Sequence, residues 1–376
     1  MNKTVLIVYG TRPDAVKMAP VVNKFLSDNS IKTVVCTTAQ HRQTIDMVNR
    51  IFDIIPDYDL DIMIESQSLE YITAAIMERF GKVLDEVRPA MVLVHGDTAT
   101  CLVCALASFY KKIPVGHVEA GLRTHDIYSP FPEEMNRRLV AVLSTLHFAP
   151  TEKNKENLLA EGISLDNIFV TGNTGIDALD TTINENYVYE CDPLNRIDFT
   201  TRRVIFLTAH RRENLGKPLE NICHAVLALS QAFSDLLFVY PVHPNPAVRD
   251  TVLPILGNKP GIMLTDMISV GDSHNLMKRS YMVMTDSGGL QEEAPALGKP
   301  VLVLRKETER PEAVEMGTVR LTGIQMDDIV NDATRLLTNP DLYMKMAGAV
   351  NPYGDGHASG RILDAVRAYL NKIHST

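Results

Sequence analysis

The sequence has little of what nucleic acids or membranes would require. Its 376 residues include 37 lysines and arginines against 46 aspartates and glutamates, which gives a net charge of −9. Proteins that bind nucleic acid or anionic membrane surfaces need surplus positive charge, so this composition argues against both. The apolar run at residues 5–9 is too short for a secretory signal, and no run approaches membrane-spanning length. We therefore expect a cytoplasmic protein that binds neither nucleic acid nor membrane.

Cysteines are also few. The five cysteines are an odd number and are scattered along the chain, which suits reduced thiols. Cys101 and Cys104 have C-x-x-C spacing, but no second pair and no histidine at ligand spacing accompany them. They lie in an alanine-rich apolar segment, so we expect buried helix residues rather than a metal or redox site.

Two common nucleotide-binding motifs are missing. No G-x-G-x-x-G follows a predicted strand, and G-x-x-x-x-G-K-[ST] does not occur. The first absence argues against dinucleotide redox chemistry, and the second argues against ATP hydrolysis by a P-loop enzyme.

Short β-branched apolar runs alternate with amphipathic segments along the chain. This alternation is typical of βαβ units and predicts parallel sheets covered by helices on both faces. The predicted strands are residues 4–9, 33–38, 91–95, 115–119, 146–149, 204–208, 237–242, 281–285 and 301–304. A polar, poorly periodic region near residues 180–201 separates two groups of strands.

We predict an α/β protein with two doubly wound, Rossmann-like domains, because 376 residues exceed what one core usually serves. The first domain comprises residues 1–170 together with 358–376, and the second comprises residues 171–357. A last helix is predicted over residues 359–372. In such sheets ligands bind beyond the carboxyl ends of the strands, so the candidate residues are sought in those loops.

The turn Ser287-Gly288-Gly289 follows the predicted strand 281–285 and precedes a helix. Glycines let the backbone approach a ligand closely, and the start of a helix offers free N–H groups and a positive dipole end. We expect a phosphate or diphosphate there, with residues 291–293 close enough to reach hydroxyls such as those of a ribose. The alternative is a tight βα turn without a ligand.

Cations and histidines also follow predicted strands. Arg12 and Lys17 come after the first strand, where they could hold a diphosphate, and Arg310 is a further cation among glutamates. His210 and His243 each follow a strand of the second domain and suit a proton carrier or a phosphate contact. The alternatives are solvent-facing cations, a surface ion pair at Arg310 and ordinary loop histidines.

Three acids are expected to converge in the first domain. Asp97 and Glu119 follow or end predicted strands that would be neighbours, and Glu133 opens a helix. Acids gathered in one crevice raise one another's pKa, which suits proton transfer to and from carbon or a sugar hydroxyl. Asp97 could instead cap the next helix, and Glu133 could only satisfy a helix dipole.

Taken together, short motifs along nearly the whole chain resemble the non-hydrolysing UDP-N-acetylglucosamine 2-epimerases and keep their order. The motifs are Gly10-Thr11-Arg12-Pro13, Gln40-His41-Arg42-Gln43, His95-Gly96-Asp97-Thr98, Gly116-His117-Val118-Glu119-Ala120-Gly121-Leu122-Arg123-Thr124, Pro132-Glu133-Glu134, Thr171-Gly172-Asn173-Thr174, His210-Arg211-Arg212-Glu213, Thr285-Asp286-Ser287-Gly288-Gly289 and Glu309-Arg310-Pro311-Glu312.

The resemblance implies a glycosyltransferase-B-like fold with a cleft between two Rossmann-like domains and a C-terminal helix that crosses back to the first domain. It implies interconversion of UDP-GlcNAc and UDP-ManNAc through elimination of UDP to 2-acetamidoglucal and its re-addition. It also implies that no cofactor and no metal takes part, that the protein is a homodimer, and that the product supplies ManNAc units for bacterial surface polysaccharide.

The resemblance also implies roles for particular residues. The implied acid/base residues are Asp97, Glu119 and Glu133, assisted by His210. The implied substrate-binding residues are Arg12, Lys17, His243, Ser287, Gly288, Gly289, Glu293 and Arg310. A second pocket, where UDP-GlcNAc activates bacterial members, matches Gln40, Gln43, Arg211 and His243, although some members carry an arginine where this chain has Ser66.

Other functions stay open on the sequence. They are a hydrolysing epimerase that releases ManNAc and UDP, an epimerase of a 3-acetamido uronic acid UDP-sugar, a glycosyltransferase of the same fold, and a sugar-nucleotide-binding regulator without catalysis. The presence of Asp97, Glu119 and Glu133 argues against the regulator.

Overall fold

The computed structural model describes residues 3–373. Within this range all recorded strand pairs are parallel. The strands are β1 (Thr4–Tyr9), β2 (Lys32–Thr37), β3 (Tyr58–Asp59), β4 (Met91–His95), β5 (Val115–Val118), β6 (Leu146–Ala149), β7 (Ile168–Val170), β8 (Arg203–Thr208), β9 (Leu236–Pro241), β10 (Ile262–Thr265), β11 (Met282–Thr285), β12 (Val301–Val303) and β13 (Val319–Leu321).

Helices connect these strands. They are α1 (Arg12–Leu26), α2 (Arg42–Ile51), α3 (Leu69–Val87), α4 (Ala99–Tyr110), α5 (Glu133–Leu143), α6 (Glu152–Ala160), α7 (Thr174–Thr182), α8 (Lys217–Ala232), α9 (Pro246–Leu256), α10 (Val270–Arg279), α11 (Gly288–Ala296), α12 (Pro311–Glu315), α13 (Met326–Thr338), α14 (Pro340–Ala347) and α15 (Ala358–Ile373). No helix of the described range is long and apolar enough to cross a membrane.

The chain divides into two compact units. The first contains residues 3–181 and 353–373, and its sheet has the order β3-β2-β1-β4-β5-β6-β7. The second is Thr182–Pro352, and its sheet has the order β10-β9-β8-β11-β12-β13. Strand order reverses beside β1 in the first sheet and beside β8 in the second, and this is where doubly wound sheets bind ligands. The predicted fold class is thus confirmed.

The two units differ in their bounds from the sequence-based division. A boundary after residue 170 would assign all of α7 to the second domain, whereas nearly the whole helix belongs to the first unit. The backbone N–H groups of Ala358 and Ser359, at the start of α15, donate to the Asp177 carboxylate of α7 at 3.2 and 2.7 Å. These bonds tie α7 to the returning last helix, so both belong to one unit.

The last helix belongs to the first unit. The α15 helix packs against α1, and Arg367 forms an ion pair with Asp28 next to that helix. Cys101 and Cys104 are buried in α4 within the apolar core of the same unit. Their burial agrees with the prediction of core residues.

Strand β5 ends one residue earlier than predicted. Glu119 has a backbone φ of 64°, in the left-handed region, and therefore leaves the extended conformation directly after Val118. This turn places the Glu119 side chain at the carboxyl edge of the sheet. The strands absent from the prediction are β3, β7, β10 and β13, which are the four outermost strands of the two sheets.

Candidate functional site

Glu119 is held from two sides at the carboxyl end of β5. Its Oε1 atom forms an ion pair with Lys17 Nζ of α1 and accepts a hydrogen bond from Asn173 Nδ2 at 3.0 Å. The Glu119 side chain is only 11% exposed. Lys17 and Asn173 thus hold Oε1 in place, and this sets the direction in which Oε2 points. In this structure Lys17, a predicted diphosphate ligand, contacts a predicted acid/base residue.

The second oxygen of Glu119 faces a histidine. His95 Nε2, at the end of β4, lies 3.7 Å from Glu119 Oε2. Burial lowers the pKa of His95 to about 4, with Glu119 opposing the shift and Lys17 adding to it. The imidazole is therefore neutral near pH 7. It is a neighbour of Glu119 that does not compensate the carboxylate's charge.

Asp97 is held by an arginine of α5. Arg137 Nε donates to Asp97 Oδ2 at 2.8 Å, and Arg137 Nη2 lies 2.7 Å from the same oxygen. Asn136 Nδ2 donates to the Asp97 backbone carbonyl at 2.7 Å. The N-cap of α4 is Thr98, whose hydroxyl accepts from Cys101 N at 3.3 Å. The carboxylate of Asp97 is therefore not the helix cap that the sequence allowed.

Glu133 and Glu134 begin α5 but have different environments. Glu134 is fully buried and accepts from the backbone N–H groups of Thr124 at 3.0 Å and His125 at 3.3 Å. It also pairs with Arg137 at 3.2 Å. Glu133 is half-buried, and its side chain has no hydrogen bond or ion pair within residues 3–373. Glu134 is thus a structural acid, while Glu133 remains the predicted acid/base residue.

Arg137 lies among three carboxylates. Burial opposes its charge, but the negative charges of Asp97, Glu134 and Glu119 outweigh that effect and raise the pKa of Arg137. The charges of two predicted proton-transfer acids, Asp97 and Glu119, therefore both act on the Arg137 guanidinium. This supports their convergence at the carboxyl ends of β4 and β5, which are neighbouring strands.

Asp14 joins two of the loops at this sheet edge. Its Oδ2 atom accepts from Gly10 N at 3.2 Å and Thr11 N at 3.1 Å in the loop after β1. The same oxygen accepts from Thr98 Oγ1 at 3.3 Å, next to Asp97. Burial raises the pKa of Asp14 to about 6, against the opposing hydrogen bonds from Thr11 and Gly10. Arg12, which begins α1, is half-buried beside this junction.

In the second unit, the predicted turn Ser287-Gly288-Gly289 is the start of α11, where Arg310 leaves no space for a side chain at Gly288. Ser287 is the N-cap of α11, which begins at Gly288. A Cβ atom added at Gly288 would lie 2.8 Å from Arg310 Cζ, so the absence of a side chain lets the guanidinium approach. Arg310 Nε donates to Glu292 Oε1 at 2.8 Å, and Nη1 donates to Glu309 Oε2 at 2.9 Å. Arg310 thus lies directly at the start of the helix.

Glu293 lies near the same turn. A Cβ atom at Gly289 would come within 3.3 Å of Glu293 Oε1. His274 Nε2 lies 3.6 Å from Glu293 Oε2, and His274 Nδ1 lies 2.7 Å from Thr182 Oγ1. The glutamate is therefore placed one turn into α11 beside a buried histidine.

His210 and His243 stack on each other after β8 and β9. Their ring centroids are 5.3 Å apart and the planes differ by 12°. Asp286, which follows β11, accepts from the backbone N–H groups of His210 and Arg211, each at 2.8 Å. Burial lowers the pKa of His210, the Asp286 charge raises it, and His243 lowers it further.

The residues matched to a second pocket are divided between the units. Gln40 Oε1 accepts from Thr100 Oγ1 at 3.1 Å, and Gln67 Nε2 donates to the Gln40 carbonyl at 3.0 Å. Gln43 is exposed in the first turn of α2. Arg211 and His243 belong to the second unit.

Four contact residues were not singled out by sequence reasoning: His95, Arg137, Asn173 and Asp286. Three of them lie in or next to motifs quoted above, and all but Arg137 lie at or just after the end of a strand. Arg137 has a different signal, because it is three and four residues after Glu134 and Glu133 on one helix. None of these residues belongs to a metal cluster, since no group of three or more potential ligands occurs among residues 3–373.

Two parallel sheets with polar residues past the ends of their central strands define a doubly wound α/β protein of the glycosyltransferase-B-like class. A family model described as UDP-N-acetylglucosamine 2-epimerase matches residues 23–367. The chain belongs to this family.

Individual relatives agree. A relative from Thermotoga maritima is 57% identical over 362 residues, which cover 96% of both chains. The UDP-N-acetylglucosamine 2-epimerase of Bacillus subtilis is 50% identical over 360 residues, or 96% of this chain and 94% of that one. The crystal structure of UDP-GlcNAc 2-epimerase from Neisseria meningitidis bound to UDP-GlcNAc is similar with a TM-score of 0.88 and 47% identity, covering 97% of this chain and 100% of that one.

Proposed function

We propose that this protein interconverts UDP-GlcNAc and UDP-ManNAc by reversible epimerisation at C2, without releasing the free sugar. The observation that carries the proposal is the pair of carboxylates at the ends of β4 and β5, each held by its own cation. Asp97 is held by Arg137 at 2.7 Å, and Glu119 is held by Lys17. Family membership makes UDP-GlcNAc the first substrate to test.

The proposed reaction has two balanced halves. One carboxylate takes the C2 proton while the C1–oxygen bond breaks, its electron pair leaves with UDP, and a C1–C2 double bond forms in 2-acetamidoglucal. A second acid then adds a proton to the opposite face of C2 as UDP re-forms the bond to C1. The C2 hydrogen is barely acidic because no carbonyl is adjacent, so departure of UDP provides the driving force. Asp97, Glu119 and Glu133 are the proposed acids and bases.

The second unit is proposed to bind the UDP part. The start of α11 offers backbone N–H groups, and Arg310 provides a guanidinium at the same place. Ser287, Gly289 and Glu293 complete the proposed contacts around this turn. His210 and His243 are proposed to meet the diphosphate, with His210 assisting its departure.

Proton NMR of the purified protein with UDP-GlcNAc in D₂O, without added cofactor, tests this function. UDP-ManNAc carrying deuterium at C2 is the expected product. Free ManNAc would instead identify a hydrolysing epimerase. No reaction together with retained UDP binding would contradict the proposal, and would leave a glycosyltransferase, a different UDP-sugar or a non-catalytic binder.

A substitution in the first unit sharpens this experiment. Asp97→Asn removes the proposed proton carrier with almost no change in volume, and we expect deuterium incorporation to fall by roughly 10²-fold or more. UDP binding, measured by calorimetry, should be unchanged because Asp97 is not among the proposed UDP contacts. Arg138→Gln is the control on α5. This side chain is partly exposed and contacts Glu134 at 3.4 Å rather than Asp97.

We also propose that the protein is a homodimer that docks through α5. The outer side of this helix exposes Met135, Leu139 and Val142, with Val142 81% exposed. Their spacing of four and three residues makes one apolar stripe, and the exposed rings of Tyr128 and Phe131 stack just before the helix. Monomers seldom expose such a patch, and a second copy related by a two-fold axis would cover it.

Light scattering after size exclusion tests the dimer. Leu139→Glu places a charge in the stripe and is expected to give a monomer, while Ile55→Glu, at an exposed site 87% accessible, should leave the dimer intact. A monomeric wild-type protein at micromolar concentration would contradict the dimer.

We propose that the enzyme works in the cytoplasm and supplies ManNAc units for surface polysaccharide.

A further inference from the structure

Asp286 is a buried carboxylate that organises the loop after β8. It is 0% exposed, and its Oδ2 atom accepts from His210 N and Arg211 N, each at 2.8 Å, and from Asn214 Nδ2 at 3.0 Å. Three donors on one oxygen exhaust its normal capacity as an acceptor. The carboxylate is therefore fixed in position and orientation by groups of a different strand.

The other oxygen of Asp286 has no such partners. Oδ1 is buried and accepts no hydrogen bond within residues 3–373. His210 Nδ1 lies 3.8 Å from it. A buried acceptor without a hydrogen bond costs free energy of folding, so the position of this oxygen calls for a functional explanation. The imidazole of His210 is the charged or titratable group that the structure places beside it.

The surroundings of His210 restrict how the ring can turn. One face stacks on His243, whose Nδ1 accepts from Asn245 N at 3.1 Å and which is thereby oriented as well. Burial lowers the pKa of His210, and the charges facing it are Asp286, His243, Arg211 and Glu213. The His210 side chain is nonetheless 37% exposed, so part of the ring reaches solvent. With Nδ1 toward Asp286, the exposed nitrogen is Nε2.

We propose that Asp286 is a positioning residue for His210: its Oδ1 accepts the Nδ1 hydrogen, fixes the tautomer and presents Nε2 to the substrate. This proposal deepens the proposed function and rests on it for the role of His210 beside the diphosphate. The carboxylate also stabilises an imidazolium that hydrogen-bonds the departing diphosphate. Closing the 3.8 Å gap needs only a small ring movement.

Nitrogen-15 NMR of histidine-labelled protein tests the tautomer directly, with His210→Gln assigning the signal. Above its pKa, wild-type His210 is expected to carry its proton on Nδ1. In Asp286→Asn the tautomer should change and the His210 pKa should fall by roughly one unit, because a neutral amide replaces the nearby anion. An Nε2–H tautomer in the wild-type protein would overturn the proposal without any variant.

Activity provides the second readout. Asp286→Asn should lower kcat by roughly 10²-fold and shift the pH profile of kcat, with a smaller effect on KM. The matched control is Asp272→Asn, since Asp272 is also 0% exposed in this unit and accepts from Tyr187, Glu190 and Cys191 at 2.9–3.0 Å. The control should lose stability but keep the His210 tautomer and pH profile.

An unchanged His210 tautomer and pKa in folded Asp286→Asn would overturn the positioning role. A changed tautomer with full activity would support the positioning contact and contradict the catalytic role of His210 in the proposed function. Should Asp286→Asn not fold, the wild-type tautomer still decides the question.

Discussion

Arg137 of α5 binds the Asp97 carboxylate through two nitrogens, with Nε at 2.8 Å and Nη2 at 2.7 Å from Asp97 Oδ2. Both side chains are largely withdrawn from solvent, so the pair is held more firmly than a surface ion pair. The contact ties the loop after β4 to α5. An acid of the proposed reaction is therefore positioned by the helix that Glu133 begins.

Arg137→Met should impair both activity and stability. The substitution removes the cation from the Asp97 carboxylate and leaves buried Glu134 with Arg138 at 3.4 Å as its cation. Breaking a buried pair costs about 3–5 kcal/mol. Arg137→Lys keeps the charge but loses the two-atom contact, so we expect a folded enzyme with kcat reduced by roughly tenfold. Urea unfolding and initial rates measure both effects. Full activity of the lysine variant would contradict the positioning of Asp97 by Arg137.

Lys17 can be assigned by separating catalysis from binding. If it serves Glu119, Lys17→Met should lower kcat by roughly tenfold or more while the Kd for UDP is unchanged. If it contacts diphosphate, as predicted from the sequence, UDP affinity should fall as well. Asn173→Ala is the companion variant, because it removes the 3.0 Å bond to the same Glu119 oxygen, together with the 2.8 Å bond that Asn173 Oδ1 accepts from Gly175 N. Calorimetry with UDP and initial rates distinguish these outcomes.

Gly288→Ala should weaken UDP binding. The new Cβ would lie 2.8 Å from Arg310 Cζ, so the guanidinium must move from the start of α11. We expect a loss of roughly tenfold in UDP affinity. Gly289→Ala is the matched control, since its Cβ meets only a Glu293 oxygen at 3.3 Å. Equal effects of the two alanines would argue against crowding of Arg310 as the cause.

Acid should unfold the protein through buried histidines. Burial lowers the pKa of His95 to about 4, of His117 to about 3 and of His147 to about 4. The unfolded chain binds these protons from pH 6.5 downward, so stability falls as pH drops below that value. Each histidine contributes up to about 1.4 kcal/mol per pH unit. Asp14, with its pKa raised to about 6, opposes the trend between that pH and its ordinary 3.8.

Urea midpoints between pH 7 and pH 5 measure this dependence. His117→Gln removes one of the three groups and should make the slope shallower, although loss of the 2.7 Å contact with Gly96 O lowers stability at pH 7. His224→Gln, at an exposed position of α8, should leave the slope unchanged. A slope that is the same in all three proteins would exclude His117 as a contributor.

Activation by UDP-GlcNAc can be tested at Gln43. This residue is exposed in α2 and forms no part of the proposed acid/base set, so Gln43→Ala should fold normally. We expect the variant to need more UDP-GlcNAc to accelerate conversion of UDP-ManNAc, by roughly tenfold. Rates measured against added UDP-GlcNAc decide the matter. An unchanged activation curve would remove Gln43 from the second pocket that the family resemblance implies.

The accuracy of the strand predictions depended on burial. All nine predicted strands occur and lie inside a sheet, where helices on both faces require continuous apolar runs such as Met91–His95. The four strands that were not predicted are the sheet edges. Tyr58–Asp59 has only two residues, neither of them buried, so it leaves no pattern to detect. Edge strands are paired on one side only, and their sequences are correspondingly less constrained.

The fold class and the loops that carry polar residues could be read from the sequence, because hydrophobic periodicity and turn composition are local properties. Which side chains pair, in contrast, depended on the folded units. The fold joined Glu119 to Lys17 and Asp97 to Arg137, residues 102 and 40 positions apart, and it placed the His210 ring 3.8 Å from Asp286 Oδ1. Such contacts depend on how strands are ordered in a sheet, and strand order is set by packing of the whole unit rather than by any local run of residues.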